Sequence, residues 1–241
     1  MPEAIALIPA RSGSKRVKNK NILKIKGHPL LAYTISAALK SKIFNKVICV
    51  TDSKKYAKIA KYYGAEVPLL RPKKYSGDKS SDIEWVMWIM KKINGIEKYN
   101  IFSILRPTNP LRKPITIKRA YNLFIKNKKF DSLRAVNQCK QHPAKMWYLK
   151  KKQLLPVIKN NFKNKVPLHS QQYANLPEIY SQNASLEIAW SKILKSKNPT
   201  ISGDKILGFV SKSYEGFDIN NEEDIYLLKY LLRKKIAKIQ L

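Results

Sequence analysis

Short apolar runs and amphipathic stretches alternate through the first half of this chain. Ala4–Ile8, Val47–Thr51, Ile101–Leu105 and Ser132–Val136 have the length of buried strands. Between them, Leu30–Lys40, Tyr56–Tyr63, Asp82–Ile93 and Ile115–Asn127 read as helices. The punctuation agrees. Pro29 precedes the first helix, Gly64 stops the second, one of Ser80, Ser81 or Asp82 caps the third, and Pro114 opens the fourth. Strands alternating with helices require right-handed crossovers, which place helices on both faces of a mostly parallel sheet. The expected fold class is therefore α/β and Rossmann-like. Further strands are expected at Leu186–Trp190 and Ile206–Val210, and a last helix from Glu222 to near the C-terminus.

The alternation breaks between 138 and 180. Pro143, Pro156, Pro167 and Pro177 fall there, with Trp147, Tyr148, Tyr173 and Tyr180. So many large aromatics argue against a linker. The stretch reads as an inserted arm of short strands and loops that caps a substrate or meets another subunit. The expected organisation is one domain over 1–241 carrying that excursion, with no internal repeats.

The formal net charge is +32 in 241 residues. Such a balance attracts anions and raises the possibility of nucleic-acid binding. The excess is mostly lysine, spread along the whole chain, whereas base and phosphate readout favours arginine. No zinc-finger spacing or RNA-recognition motif accompanies it. The expectation is a solvated lysine-rich surface with no specific nucleic-acid partner. No apolar run approaches the ~20 residues that span a bilayer, and no secretory signal is visible at the N-terminus. Cys49 lies in the apolar run Val47–Val50 and Cys139 is remote, so a buried thiol at Cys49 is expected rather than a disulfide or a metal site, in a reducing cytoplasm.

Four segments carry chemistry. The first strand stops at Pro9, and a loop of small residues and cations follows. Ser12, Gly13 and Ser14 allow close backbone approach, while Arg11, Lys15 and Lys20 supply positive charge, a combination suited to phosphate. The loop is not a Walker A sequence. It would lie beyond the carboxyl end of a strand, where open α/β sheets bind ligands. The second segment, Leu105–Arg112, also follows a strand. Its Arg106, Thr108 and Asn109 suit a nucleotide or a sugar, and its prolines equally suit a structural turn. In the third, Asp218 and Asn220 share one face of an extended segment. A carboxylate and an amide oxygen suit Mg²⁺, and the same residues suit a helix cap. The fourth, Ser181–Glu187, is a polar cluster fit for sugar hydroxyls or for ordinary turn bonding.

Together these segments resemble the acylneuraminate cytidylyltransferase family, the synthetases of CMP-sialic acid and CMP-nonulosonic acids. The matching pieces are Ile8–Lys15 closed by Asn21, Val50–Asp52, Tyr63–Pro68, Leu70–Pro72 with Asp78, Leu105–Arg112, His142–Lys145, Asn183–Leu186 and Asp218–Asp224. They span nearly the whole chain in family order. The resemblance implies a nucleotidyltransferase-type fold and a reaction in which the anomeric oxygen of an α-keto acid sugar attacks the α-phosphorus of CTP, releasing pyrophosphate. It implies Arg11, Lys15 and Asp218 as catalytic residues. Nucleotide contacts would come from Arg11, Ser12, Gly13, Ser14, Lys15, Asn21, Arg71 and Ser80. Sugar contacts would come from Arg106, Thr108, Lys145 and Asn183, and Mg²⁺ would sit at Asp218 with Asn220. It also implies a homodimer formed through the 138–180 excursion.

Four departures bear on the substrate. Arg16 stands where glycine is usual, Arg106 where glutamine is common, and Asn220 where many members have a second aspartate. The usual Arg-Gln before Leu176-Pro177 is replaced by Gln171–Asn175. These turn the expectation from ordinary N-acetylneuraminate towards legionaminate, pseudaminate or a similar surface-sugar acid. The competing readings are a transferase for the eight-carbon acid Kdo, or another sugar nucleotidyltransferase, and an RNA-binding protein on a nucleotide fold.

Overall fold

The computed structural model describes residues 2–158 and 166–241. Strand β1 (Ala4–Pro9) opens the fold, followed by the two-residue strands β2 (Lys24–Ile25) and β3 (His28–Pro29), helix α1 (Leu30–Ser41) and β4 (Lys46–Val50). Next come α2 (Lys54–Tyr62), α3 (Asp82–Lys92), the single turn α4 (Gly95–Lys98), β5 (Ile101–Leu105), α5 (Pro114–Lys126) and β6 (Ser132–Gln138). The last elements are β7 (Trp147–Lys150), β8 (Gln153–Pro156), β9 (Tyr180–Trp190), β10 (Ile206–Val210) and α6 (Glu222–Arg233). The six-stranded sheet has the order β10-β6-β9-β5-β1-β4. β1 lies parallel to β4 and to β5, and β10 is parallel to β6. The expected mostly parallel α/β sheet is what forms.

Both faces of that sheet are covered, as β1 shows residue by residue. Ala4, Ala6 and Ile8 face a core shared with Leu31 and Ile35 of α1 and Tyr121 and Phe124 of α5. Ile5 and Leu7 face the opposite core with Trp85, Val86, Ile89 and Met90 of α3. An apolar strand without polar alternation is buried on both sides because the pleat sends successive side chains to opposite faces. Cys49 belongs to this interior, and burial raises its thiol pKa to about 12.

Two details depart from the expectations. β9 begins at Tyr180, not Leu186, and runs antiparallel to β5. Antiparallel neighbours need no crossover helix, so the chain can enter the sheet centre directly at that point. The last helix stops at Arg233 instead of continuing towards the C-terminus. Lys235 adopts a left-handed φ of 58° and the Ile236 N–H turns back to Leu231 O, which closes the helix. Ala237 and Ile239 then pack on a third core with Leu228, Leu231, Leu232 and Ile219.

Contacts divide the chain into two compact units: Met1–Val136 with Asn183–Leu241, and Asn137–Gln182. The second unit contains the β7–β8 antiparallel hairpin and short 3₁₀ turns at Pro143–Lys145, Leu168–Ser170 and Tyr173–Asn175. Within the 138–180 excursion, positions 159–165 lie outside the described residues. No helix among the described residues is long and apolar enough to cross a membrane.

Candidate active site

At the carboxyl end of β1 the chain turns, with the Ala10 N–H bonded to Val50 O at 3.0 Å. The loop beyond is tied down at both ends. The N–H and hydroxyl of Ser12 donate to Asp52, just past β4, at 2.8 and 2.9 Å. Buried Asn21 donates from Nδ2 to Arg11 O at 3.0 Å. Arg11, Ser14, Lys20 and Asn21 thereby reach one cavity of about 380 Å³. Lys20 donates to Ile219 O at 2.7 Å. Burial lowers its pKa, an effect opposed by the nearby Asp218 carboxylate. Gly13 leaves open space where a Cβ would stand, with no atom within 4 Å.

Across the cavity, Arg71 enters on the segment that follows α2, its own N–H bonded to Thr51 O, just past β4, at 2.7 Å. Its guanidinium sits 5.3 Å from the centroid of the Trp85 ring and donates to Tyr75 O. Burial pulls its pKa down to about 10, against the field of Asp82. Trp85 is core, as its helical position implies, at 1% exposure. It is also part of the cavity wall and donates from Nε1 to Asp82 Oδ1 at 2.8 Å. That second role has no sequence signal, since a tryptophan on an apolar helix face looks the same either way. Ser80 lines the cavity, its hydroxyl bonded to Lys74 O at 3.1 Å.

Asp78 bridges the cationic loop. It pairs with Arg11 at 2.8 Å and Lys15 at 2.6 Å. Hydrogen bonds from Lys15 and then Arg11 hold its carboxyl below the usual aspartate range. Any anion reaching Arg11 and Lys15 would have to compete with Asp78 for both cations. Lys15 is otherwise 82% exposed, so its reach into the cavity depends on its own flexible stem.

Arg106 is already engaged before any substrate arrives. It pairs with Asp82 and, at 3.2 Å, with Glu187 Oε1. Burial works against its charge, and Asp82 and Glu187 more than restore it, so its pKa lies above the usual arginine value. Burial likewise works against the Asp82 carboxylate. The charge and hydrogen bond of Arg106, with the Trp85 bond, outweigh it and bring the pKa below 3.8. A depressed carboxyl stabilises the fold above its unfolded value and loses that contribution as pH falls through its folded value. Wild type is therefore expected to lose melting temperature below about pH 4 more steeply than Asp82→Asn. Parallel curves from pH 7 to pH 3 would show that Asp82 contributes nothing to this slope.

The third wall is the segment before α6. Ile219 is fully buried and its N–H bonds to Thr108 O at 2.9 Å. This anchor leaves its neighbours Asp218 and Asn220 lining the cavity, alongside Thr108 of the β5 turn. The helix cap is Asn221, whose side chain accepts from the Asp224 N–H at 3.1 Å. Asn220 is not the capping side chain. Its Nδ2 donates to Asp218 Oδ2 at 2.9 Å. Hard oxygens on Asp218 and Asn220 beside a phosphate-type loop fit Mg²⁺, which takes one or two protein oxygens and completes its shell with substrate phosphates and water. No cluster of three His, Cys, Asp or Glu exists among the described residues, so an all-protein cage is not what these donors form.

Of the remaining expected residues, Asn183 bonds Ser211 Oγ through Nδ2 at 2.8 Å and accepts from the Ser185 N–H at 3.0 Å. It thereby shapes a bend in which Ala184 has a left-handed φ of 54° and lines the cavity. Lys145 belongs to the second unit. There its ammonium donates to the carbonyls of His169 at 2.7 Å and Gln171 at 2.5 Å.

A cationic loop at the carboxyl edge of a parallel sheet, facing an acidic segment, is the arrangement of a nucleotide-binding α/β protein. Residues 5–234 match the profile of the cytidylyltransferase family, and the chain belongs to that family. It is 34% identical over 230 residues to the CMP-N,N'-diacetyllegionaminic acid synthase of Legionella pneumophila, covering 95% of each chain. It is also 44% identical over 134 residues to the N-acylneuraminate cytidylyltransferase of Escherichia coli O18:K1:H7, a match that spans 56% of this chain and 31% of that longer one. Among solved structures it resembles CMP:2-keto-3-deoxy-manno-octonic acid synthetase complexed with CTP. The TM-score is 0.71 at 15% identity, over 97% of this chain and 99% of the other. That likeness establishes the shared fold.

Proposed function

We propose that this cytidylyltransferase activates a nonulosonic acid with CTP, forming a CMP-sugar and pyrophosphate. The observation that carries the reading is convergence. Arg11, Ser14 and Asn21 from the first loop, Arg71 and Ser80 from the opposite wall, and Asp218 with Asn220 meet at one cavity. The full-length similarity to a diacetyllegionaminic acid synthase supports the class of sugar.

In the reaction, the anomeric hydroxyl oxygen bonds to the α-phosphorus as its proton leaves. The bond between the α-phosphorus and the bridging oxygen breaks, and pyrophosphate departs with that electron pair. Such a displacement needs positioning and charge neutralisation more than covalent help. Arg11, Ser14, Lys15 and Asn21 hold the triphosphate, Ser12 and Gly13 shape the loop, and Arg71 and Ser80 receive the cytidine. Arg106, Thr108, Asn183 and Lys145 are assigned to the sugar. Asp218 and Asn220 would hold Mg²⁺, which when bound withdraws charge from the phosphates. The 137–182 unit exposes Tyr148, Leu149, Leu154 and Tyr173, which supports its assignment as the homodimer contact. The excess of lysine steers the anionic substrates inward.

Pyrophosphate release is the test, with four nucleoside triphosphates crossed against nonulosonic acids and the eight-carbon acid. Release is expected with CTP and a nonulosonic acid. Silence across the panel overturns the proposal, and preference for the eight-carbon acid moves the chain to that specificity. Lys15→Ala is expected to lower kcat/KM for CTP by about 10- to 100-fold, roughly 1.4–2.8 kcal/mol. An unchanged value would remove Lys15 from the triphosphate contacts.

A further inference from the structure

Arg112 carries a buried charge that the reaction described above does not use. It closes the β5 turn and is 3% exposed. No ion pair among the described residues includes it. Its fork is spent on neutral acceptors instead. Nη1 donates to Ser185 O. Nη2 donates to Thr34 Oγ1 at 2.9 Å and to Arg106 O at 3.2 Å. Thr34 also donates to Arg106 O, at 3.3 Å, so the three groups form a closed knot.

The positions of these acceptors matter. Arg106 belongs to the turn after β5, Ser185 to β9 and Thr34 to α1. Two of the three adjoin the cavity, since Arg106 lines it and Ser185 follows the cavity residue Ala184. Burial lowers the Arg112 pKa to about 9, opposed by the field of Asp218, and the group remains a cation at neutral pH. Taking such a charge out of water is costly without a close counter-ion. A methionine or leucine would fill the same space without that cost. The planar fork reaches one acceptor from Nη1 and two from Nη2 in a fixed geometry, which the compact ammonium of lysine does not reproduce.

We infer that Arg112 is a positioning residue for the acidic sugar: its fork locks the Arg106 turn against the Asn183–Ser185 bend, and its unpaired charge favours an anionic acceptor beside them. The inference rests on the cytidylyltransferase reading above. It assigns Arg112 to the sugar side of the pocket and not to the triphosphate.

Three variants test it, with kinetic constants referred to folded protein measured by circular dichroism and CTP binding followed by calorimetry. Arg112→Met is expected to raise KM for the acid sugar about 10-fold or more while CTP affinity stays within about 3-fold. Arg112→Lys keeps the charge and is expected to fall between Arg112→Met and wild type. Thr34→Val removes one acceptor and is expected to raise the same KM about 2- to 3-fold. This milder change, with Arg112→Lys, decides the matter if Arg112→Met does not fold. A purely structural arginine would lower the folded fraction and leave the KM for the acid sugar and the CTP affinity unchanged, and that result overturns the inference. If wild type itself releases no pyrophosphate, the reaction reading falls and takes the sugar role with it. If wild type is active and all three variants match it per folded molecule, the positioning role alone falls.

Discussion

Asp218→Ala is expected to lower turnover by roughly 1,000-fold, about 4 kcal/mol in the barrier, with little change in melting temperature. The expectation rests on how the carboxylate is held. Its side chain accepts a hydrogen bond from Asn220 Nδ2, while its backbone is placed by its neighbour. Ile219 is buried in the third core and bonded to Thr108 O, and α6 is capped by Asn221 with Asp224. Removing the carboxylate therefore leaves the segment in place and strips the cavity wall of its charge. Lys20 loses its counter-charge at the same time. Asp218→Asn keeps the shape and separates charge from volume. Both variants are to be assayed for pyrophosphate release and for Mn²⁺ binding with a non-hydrolysable CTP analogue. Near-normal turnover in Asp218→Ala would exclude that residue from the chemistry.

Glu187→Ala is expected to destabilise the fold by about 3–5 kcal/mol. Glu187 is 4% exposed in the middle of β9. Its Oε1 meets Arg106 at 3.2 Å and its Oε2 meets Arg134 at 2.9 Å, the latter a charge contact without hydrogen-bond alignment. Truncation leaves the partly buried Arg134 without its partner and Arg106 with Asp82 alone. Breaking a buried pair from one side costs more than the pair contributes, because the surviving charge has already lost its water. Urea unfolding should show a lower midpoint at unchanged slope. A midpoint within experimental error of wild type would mean that water reaches Arg106 and Arg134 freely. Replacing only the charge, by Glu187→Gln, is expected to cost less, since the amide oxygen can still accept from Arg106.

These two residues mark the boundary of what local sequence reveals. The loop after β1 was legible because its cations and small residues are consecutive and follow an apolar run that can only be a strand. Asp218 was legible because it sits two residues from Asn220, just before an acidic helix start. Both are short-range patterns. Glu187 closes the polar cluster Ser181–Glu187 in the sequence and shows no role of its own there, because its partners are 81 residues away at Arg106 and elsewhere on β6 at Arg134. Trp85 is core, yet its stacking with Arg71 and its bond to Asp82 turn it towards the cavity. Arg106 read as a cation open to the sugar, whereas folding supplies it with two carboxylates first.

Sequence alone determined the sheet-and-helix alternation, the burial of both faces of β1 and the two segments, around Arg11–Asn21 and Asp218–Asn220, that come to line the cavity, because each depends on the order and spacing of near neighbours. The direction of β9, the end of α6, the pairing of Asp78 with the loop cations and the knot around Arg112 were decided only in three dimensions. Most of the side-chain contacts among these join residues far apart in the chain, where a charged side chain looks the same whether it faces solvent or a buried partner; the bond from Arg112 to Arg106 O, six residues back, is the short-range member. Around Arg112, burial raises the cost of an unmatched donor and so selects the partners, and burial exists only once the chain has folded.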